Sequence, residues 1–408
     1  MKRCTPCYVL IVFFLFSSFV SGDNEKEVLD KAKEIHKRVL TLDSHCDTPL
    51  WLKRDDYKIG EKHDAHETQN RVDLPRMKEG GLDAIFFAVF LGQGPRTDSA
   101  NEQAWNEANS IIDRIEQQIK VNDTVAVLAY SSNDAYKAED ENKRAIYLGL
   151  ENGYPIGEDL SKVEKFYNRG IRYITLSHSK NNDICDSAND TLEFGGLSEF
   201  GEEVVAEMNR LGIMVDVSHI SDSAFYDVLK LSKVPVIASH SNCRAVCDNP
   251  RNLTDDMIKK LAEKGGVVQV CVLNSYVHNP PPNPQRDSAI AELRKARDQY
   301  KEVTEAVHDS IVREWYALQK KYPEKLATVS QLVDHIDHIV KIGGIDHAGI
   351  GTDFDGGGGI EGCYDVAEMP NITEELVRRG YSDEDIRKIW GGNFMRVFKA
   401  VEEYAANN

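Results

Sequence analysis

Short runs of β-branched and other apolar residues recur along the chain, separated by segments whose apolar positions return every three or four residues. The runs are Val39 to Ser44, Ala84 to Leu91, Ala145 to Leu150, Tyr173 to Ser177, Ile213 to Ser218, Val234 to Ser239, Val267 to Leu273 and Ala348 to Thr352. Between them the period becomes that of an amphipathic helix, as in Asn101 to Lys120, Phe200 to Leu211, Ser221 to Leu231 and Thr254 to Lys264. Near-continuous apolar strands alternating with helices predict a parallel sheet covered by helices. Eight such units predict an α/β fold of one domain, a closed (β/α)8 TIM barrel. No GxGxxG follows the first run and no GxxxxGK(S/T) occurs, so a nucleotide-binding open sheet has no support.

The carboxyl ends of these runs carry the chemistry. The first ends in Asp43-Ser44-His45-Cys46-Asp47, the third in Gly149-Leu150-Glu151 and the fourth in Leu176-Ser177-His178. The fifth ends in Asp216-Val217-Ser218-His219, the sixth in Ala238-Ser239-His240 and the eighth in Gly351-Thr352-Asp353-Phe354-Asp355. One histidine at a strand end is commonly a hydrogen-bonded structural residue. Six polar ends converging on the catalytic face of a barrel call for a shared site.

Imidazoles with carboxylates form a ligand set suited to zinc, with manganese, iron or cobalt as alternatives. His45 and Asp47 lie two apart, so an extended strand points both to one face and Cys46 to the other. Glu151, between the histidine sources, is the natural bridge of a two-ion site: one zinc on His45 and Asp47, the other on His219 and His240. A hydroxide shared by the ions is the expected nucleophile. Asp353 is left free to move its proton to a leaving amine, and His178 to donate to the oxyanion. Asp43, Asp216 and Asp355 are expected to orient backbone and ligands. His63 and His66 fall in a hydrophilic loop, His335 and His338 on a wet helix face, and Gly356 to Gly359 in a flexible loop.

Charge then removes partners. The 408 residues hold 49 Lys+Arg against 67 Asp+Glu, a formal net charge of -18, which argues against nucleic acid or an anionic membrane surface. The amino terminus reads as a separate segment. Lys2 and Arg3 precede the apolar run Tyr8 to Phe19 and the small-residue exit Val20-Ser21-Gly22. That run is short of the roughly 20 residues a spanning helix needs, so residues 1–22 are expected to be a cleaved signal peptide. Residues 23–408 would then be an exported hydrolase domain, periplasmic or secreted. Val397 to Asn408 offers no apolar tail for a lipid anchor. The six cysteines after the leader are too sparse for a disulfide scaffold, and no CxxC suggests structural zinc.

Taken in order, these motifs resemble the membrane (renal) dipeptidase family, zinc-dependent members of the amidohydrolase superfamily. The likeness also includes Asp73-Leu74-Pro75-Arg76-Met77 and Gly391-Gly392-Asn393-Phe394-Met395-Arg396-Val397. It implies hydrolysis of free dipeptides, L,L and also L,D, with the metal roles given above and Asp353 as general acid/base. It also implies that His178 touches substrate, that Arg251 clamps the substrate's terminal carboxylate and that Tyr276 is a further substrate contact. A homodimer is compatible with the resemblance. Relatives form disulfides, and Cys247 matches one bridging position, but its partner position reads as Asn279. The stretch from about 279 to 330, between the seventh and eighth strands, is longer than in those relatives. Its charged run Ala289 to Lys321 predicts a solvated helical excursion at the catalytic rim. Lactonase or deaminase chemistry on the same metals, or a barrel that only binds, are the competing readings.

Overall fold

The computed structural model describes residues 22–54, 56–297, 299 and 305–408. Except for Gly22, the expected leader lies outside the described residues. Among the described residues nine strands form: β1 (Leu42–Cys46), β2 (Ala84–Phe90), β3 (Ala126–Leu128), β4 (Arg144–Glu151), β5 (Ile171–Thr175), β6 (Met214–Asp216), β7 (Ile237–Ala238), β8 (Val267–Val270) and β9 (Ala348–Ile350). Eight follow one another in the order β1-β2-β4-β5-β6-β7-β8-β9, all parallel. The ring closes just beyond the strands, where Asp353 N donates to His45 O (3.0 Å) and Asp47 N to Phe354 O (2.8 Å). This is the expected (β/α)8 barrel.

The ninth strand was not legible. β3 pairs with the first half of β4, Ala126 beside Arg144 to Leu128 beside Ile146, on an edge where β5 begins only at Leu148. Three residues are too few to register as a strand by pattern.

The helices start where the sequence can cap them. Thr97, Ser198, Ser221 and Thr254 each accept the backbone N–H three residues on, opening the helices Asp98–Val121, Glu199–Leu211, Asp222–Leu231 and Asp255–Glu263. Each such cap contributes about 1 kcal/mol.

Alternation along the strands divides the apolar residues into two cores. Ile85, Phe87, Val89, Ile146, Leu148 and Leu150 face the helices. Phe86, Tyr147, Tyr173, Met214 and Ile237 fill the lumen, and Phe394, Val397 and Phe398 of the helix Asn393–Asn407 complete that cluster. The lumen is thus solid, and only the strand ends above it are free for chemistry.

One expectation needs correction. His335 is fully buried rather than wet. Its Nδ1 accepts from Cys243 N (3.1 Å) and its Nε2 donates to Val277 O (2.9 Å), which ties its helix, Val329–Gly343, to the segment before the excursion. Neighbouring His338 pairs with Asp255 at 2.7 Å. The excursion itself, between β8 and β9, consists of the helices Pro284–Arg297 and Glu305–Lys321, and the first buries none of its residues. Its base is pinned by Arg286 to Glu324 (3.1 Å) and by Asn274 Oδ1 accepting from Ala327 N (2.6 Å).

Candidate metal centre

Pairing of β1 with β2 is irregular between Asp43 and Cys46. The irregularity leaves Cys46 in the outer core while His45 Nε2 and Asp47 Oδ2 lie 3.5 Å apart, the same-face placement expected from their spacing. Glu151 at the end of β4 stands at the centre of the group. Its Oε2 is 3.5 Å from His45 Nε2, and its Oε1 is 3.3 Å from His219 Nε2, 3.6 Å from His240 Nε2 and 3.7 Å from His178 Nε2. The Nε2 atoms of His219 and His240 are only 2.7 Å apart, and the rings of His45 and His240 stack at 3.8 Å.

Such crowding suits a cation. Each of three trios has ligand atoms mutually close enough for one ion: His45-Glu151-His240, Glu151-His178-His219 and His45-Asp47-Asp353. His45 Nε2, Asp47 Oδ1 and His219 Nδ1 are buried without a hydrogen-bond partner. Buried polar atoms normally have one, so the donor set fits bound metal.

Electrostatics point the same way for three of the four histidines; His45 is the exception, held well above its ordinary value, against burial, by Tyr173, Glu151 and Asp47. Burial pushes the His219 and His240 imidazoles well below their ordinary value, with Arg251 and the neighbouring rings adding to the effect. His178 is lowered to about 4 by burial and by Arg251. Neutral imidazoles are the form that binds metal. Burial, and then the charge of Asp47, hold the Asp353 carboxyl well above the usual carboxylate range.

Asp353 is fixed by its backbone. It sits at φ 59°, and its carbonyl accepts from Gly356 N (3.2 Å), Gly357 N (3.1 Å) and Gly358 N (2.7 Å). The glycine segment expected to be flexible is therefore a tight turn around Asp353. A Cβ on Gly356 would lie 2.1 Å from Asp47 Oδ2 and 2.2 Å from Asp353 Oδ1, so the turn admits no side chain there.

The expected orienting aspartates are in place. Asp43 accepts from Thr352 N (2.8 Å), Thr352 Oγ1 (2.6 Å) and His45 N (3.1 Å). Asp216 accepts from Ser239 Oγ (2.6 Å), and Ser239 Oγ lies 2.8 Å from His240 Nδ1, so carboxylate, hydroxyl and imidazole form a line. Asp355 accepts from Thr48 Oγ1 (2.8 Å) and Arg71 N (2.7 Å).

Arg251, Tyr276 and His178 gather beside this group. Arg251 is 3% exposed; its Nη2 donates to His240 O (3.3 Å), its Nε has no partner, and the guanidinium lies 5.3 Å from the Tyr276 ring. His178 packs edge-on to Phe90 at 4.7 Å, and its Nδ1 lies 2.9 Å from Ser179 Oγ. Cys247 Sγ meets Asn279 Oδ1 at 3.6 Å, so Asn279 does stand where a bridging partner would be, and all six described cysteines are free.

Sequence reasoning missed three neighbours. Tyr173 Oη is 2.7 Å from His45 Nδ1, Cys271 Sγ is 3.7 Å from Asp353 Oδ2, and Phe90 supports His178. Each lies in an apolar strand run, where pattern alone reads it as core.

A parallel (β/α)8 barrel with buried imidazoles and carboxylates at its strand ends defines a metal-dependent hydrolase of the amidohydrolase kind. The model of the membrane dipeptidase family, peptidase family M19, matches residues 29–408, and the chain belongs to that family of metal-dependent dipeptidases. The dipeptidase tcpJ of Claviceps purpurea is 30% identical over 359 residues, which cover 86% of this chain and 74% of the relative. The structure of the probable dipeptidase PvdM of Pseudomonas aeruginosa is 32% identical with a TM-score of 0.81, covering 93% of this chain and 100% of that one. A metallo peptidase of Rhodobacter sphaeroides, solved with a phosphinate mimic of the dipeptide L-Ala-D-Ala, shares the fold at TM-score 0.72 and 24% identity, over 89% of this chain and 99% of that one.

Proposed function

We propose that this chain is an exported dipeptidase that hydrolyses free L,L- and L,D-dipeptides with two zinc ions bridged by Glu151. The observation that carries the two-ion reading is the division of Glu151, with Oε2 towards His45 at 3.5 Å and Oε1 towards His219 at 3.3 Å and His240 at 3.6 Å. His45 and Asp47 would hold one ion, and His219 and His240 the other. Ions bound there would supply a water acid enough to lose a proton near neutral pH.

The chain's own residues do the rest. Asp353, raised by burial and beside Asp47, takes the proton from the attacking water and passes it to the leaving amine. Ser179 Oγ lies 2.9 Å from His178 Nδ1; with the hydroxyl as donor the ring carries its proton on Nε2, which then serves the carbonyl oxygen as charge develops on it. Arg251, a buried guanidinium with an unpartnered Nε, holds the substrate's terminal carboxylate, with Tyr276 alongside.

Elemental analysis with a dipeptide panel tests the whole reading. Two zinc ions per chain and cleavage of free but not amidated dipeptides are expected. A metal-replete protein that spares dipeptides yet opens a lactone would move the chain to another amidohydrolase chemistry. Asp353→Asn should keep both ions and lose about 10²- to 10⁴-fold in turnover. For export, amino-terminal sequencing of the released protein should begin at residue 23, and a retained Met1 would count against the leader.

A further inference from the structure

We propose that Tyr173 is a positioning residue for the metal centre, laid across the barrel lumen so that its hydroxyl fixes the ring of His45 with Nε2 turned towards Asp47 and Glu151. The inference rests on His45 being a metal ligand.

Tyr173 belongs to β5 and His45 to β1, and in the barrel β4 and β2 stand between them. The tyrosine crosses that gap because its register partner on β4 is Gly149. A Cβ on Gly149 would lie 2.1 Å from the ring's Cζ and 2.3 and 2.5 Å from its Cε atoms, so the ring fills the space of the missing side chain. It continues past Phe86 of β2, centroids 5.3 Å apart, and ends with Oη 2.7 Å from His45 Nδ1. The same imidazole is held from another direction by the His240 ring stacked at 3.8 Å.

Chemistry assigns the hydroxyl its task. An imidazole that offers the Nε2 lone pair to a cation carries its proton on Nδ1, and a buried N–H needs an acceptor. Tyr173 Oη stands at that position, in the manner of the outer partners that orient metal-bound histidines. Packing alone would be served by phenylalanine. Gly149 and Tyr173 therefore act as one device, the first making room for the second.

Zinc affinity of the full chain, measured by competition with a chromophoric chelator, tests this directly. Tyr173→Phe keeps the ring and removes the acceptor; zinc binding should weaken by about 10- to 100-fold, with the metal-free protein unfolding close to the wild-type temperature. His45→Ala is measured alongside. If His45→Ala binds zinc as the wild type does, the ligand reading itself fails. If His45→Ala loses zinc while Tyr173→Phe stays within about twofold of wild type, the role of Tyr173 is overturned. A Tyr173→Phe protein changed only in its unfolding temperature would reduce the residue to packing. Gly149→Ala displaces the ring and should also weaken zinc binding, with the double variant no weaker than the poorer single one; if Gly149→Ala does not fold, Tyr173→Phe alone decides.

Discussion

His219 and Asp353 both sit at positive φ, 71° and 59°, a region costly for residues with a side chain. Each is held there by its surroundings: Ala188 N donates to His219 O at 2.8 Å, and three successive N–H groups converge on Asp353 O. The strain directs both side chains into the cluster. Arg251 is the residue whose variant best separates binding from turnover. A charge-assisted hydrogen bond contributes roughly 1.5–3 kcal/mol, so Arg251→Ala should raise KM for dipeptides about 10- to 100-fold while zinc content stays at the wild-type level. An unchanged KM would remove the clamp.

At the scale of elements, the barrel and the excursion are separable. No residue of Pro284–Arg297 is buried, and at its base Arg286 pairs with Glu324 while Asn274 Oδ1 accepts from Ala327 N. Replacing residues 287–321 with a short Gly-Ser link should leave the unfolding temperature within about 2 °C, because exposed substitutions cost little. KM values for dipeptides with large side chains should move more than those for Gly-Gly if the hairpin rims the site. A collapse in stability would mean that the hairpin belongs to the fold. Strand β3 shows the opposite case, an element too short to be read from the chain that nonetheless extends the sheet beside β4.

For the whole molecule, buried neutral histidines link stability to pH. Burial lowers His335, against the Val277 carbonyl and Asp334, which raise it, and with His338, which lowers it further. Its folded pKa lies below its unfolded value, so the unfolded chain binds the extra proton. Stability from His335 is complete above about pH 6.5 and is lost as pH falls towards the folded pKa. His36 and His347 are lowered by burial in the same sense. The urea midpoint of the wild type should therefore exceed that of His335→Gln more at pH 7.5 than at pH 5; a gap that widens in acid would contradict the linkage.

The chain by itself determined the barrel and the composition of its catalytic face. Eight β-branched runs spaced by capped helices specify a parallel sheet through local period and capping alone. Polar residues at the strand ends needed no further information, because a barrel brings those ends together whatever its details. Tertiary structure decided the rest, through contacts between distant segments. It buried His335 against Cys243 and Val277, wound the glycines around Asp353, and placed Asn279 against Cys247. It also turned Tyr173, by pattern one more core residue, into a partner of His45, because only strand register puts Gly149 beneath its ring. Register and reach across a lumen depend on which strands are neighbours, and neighbours in space are not neighbours in sequence.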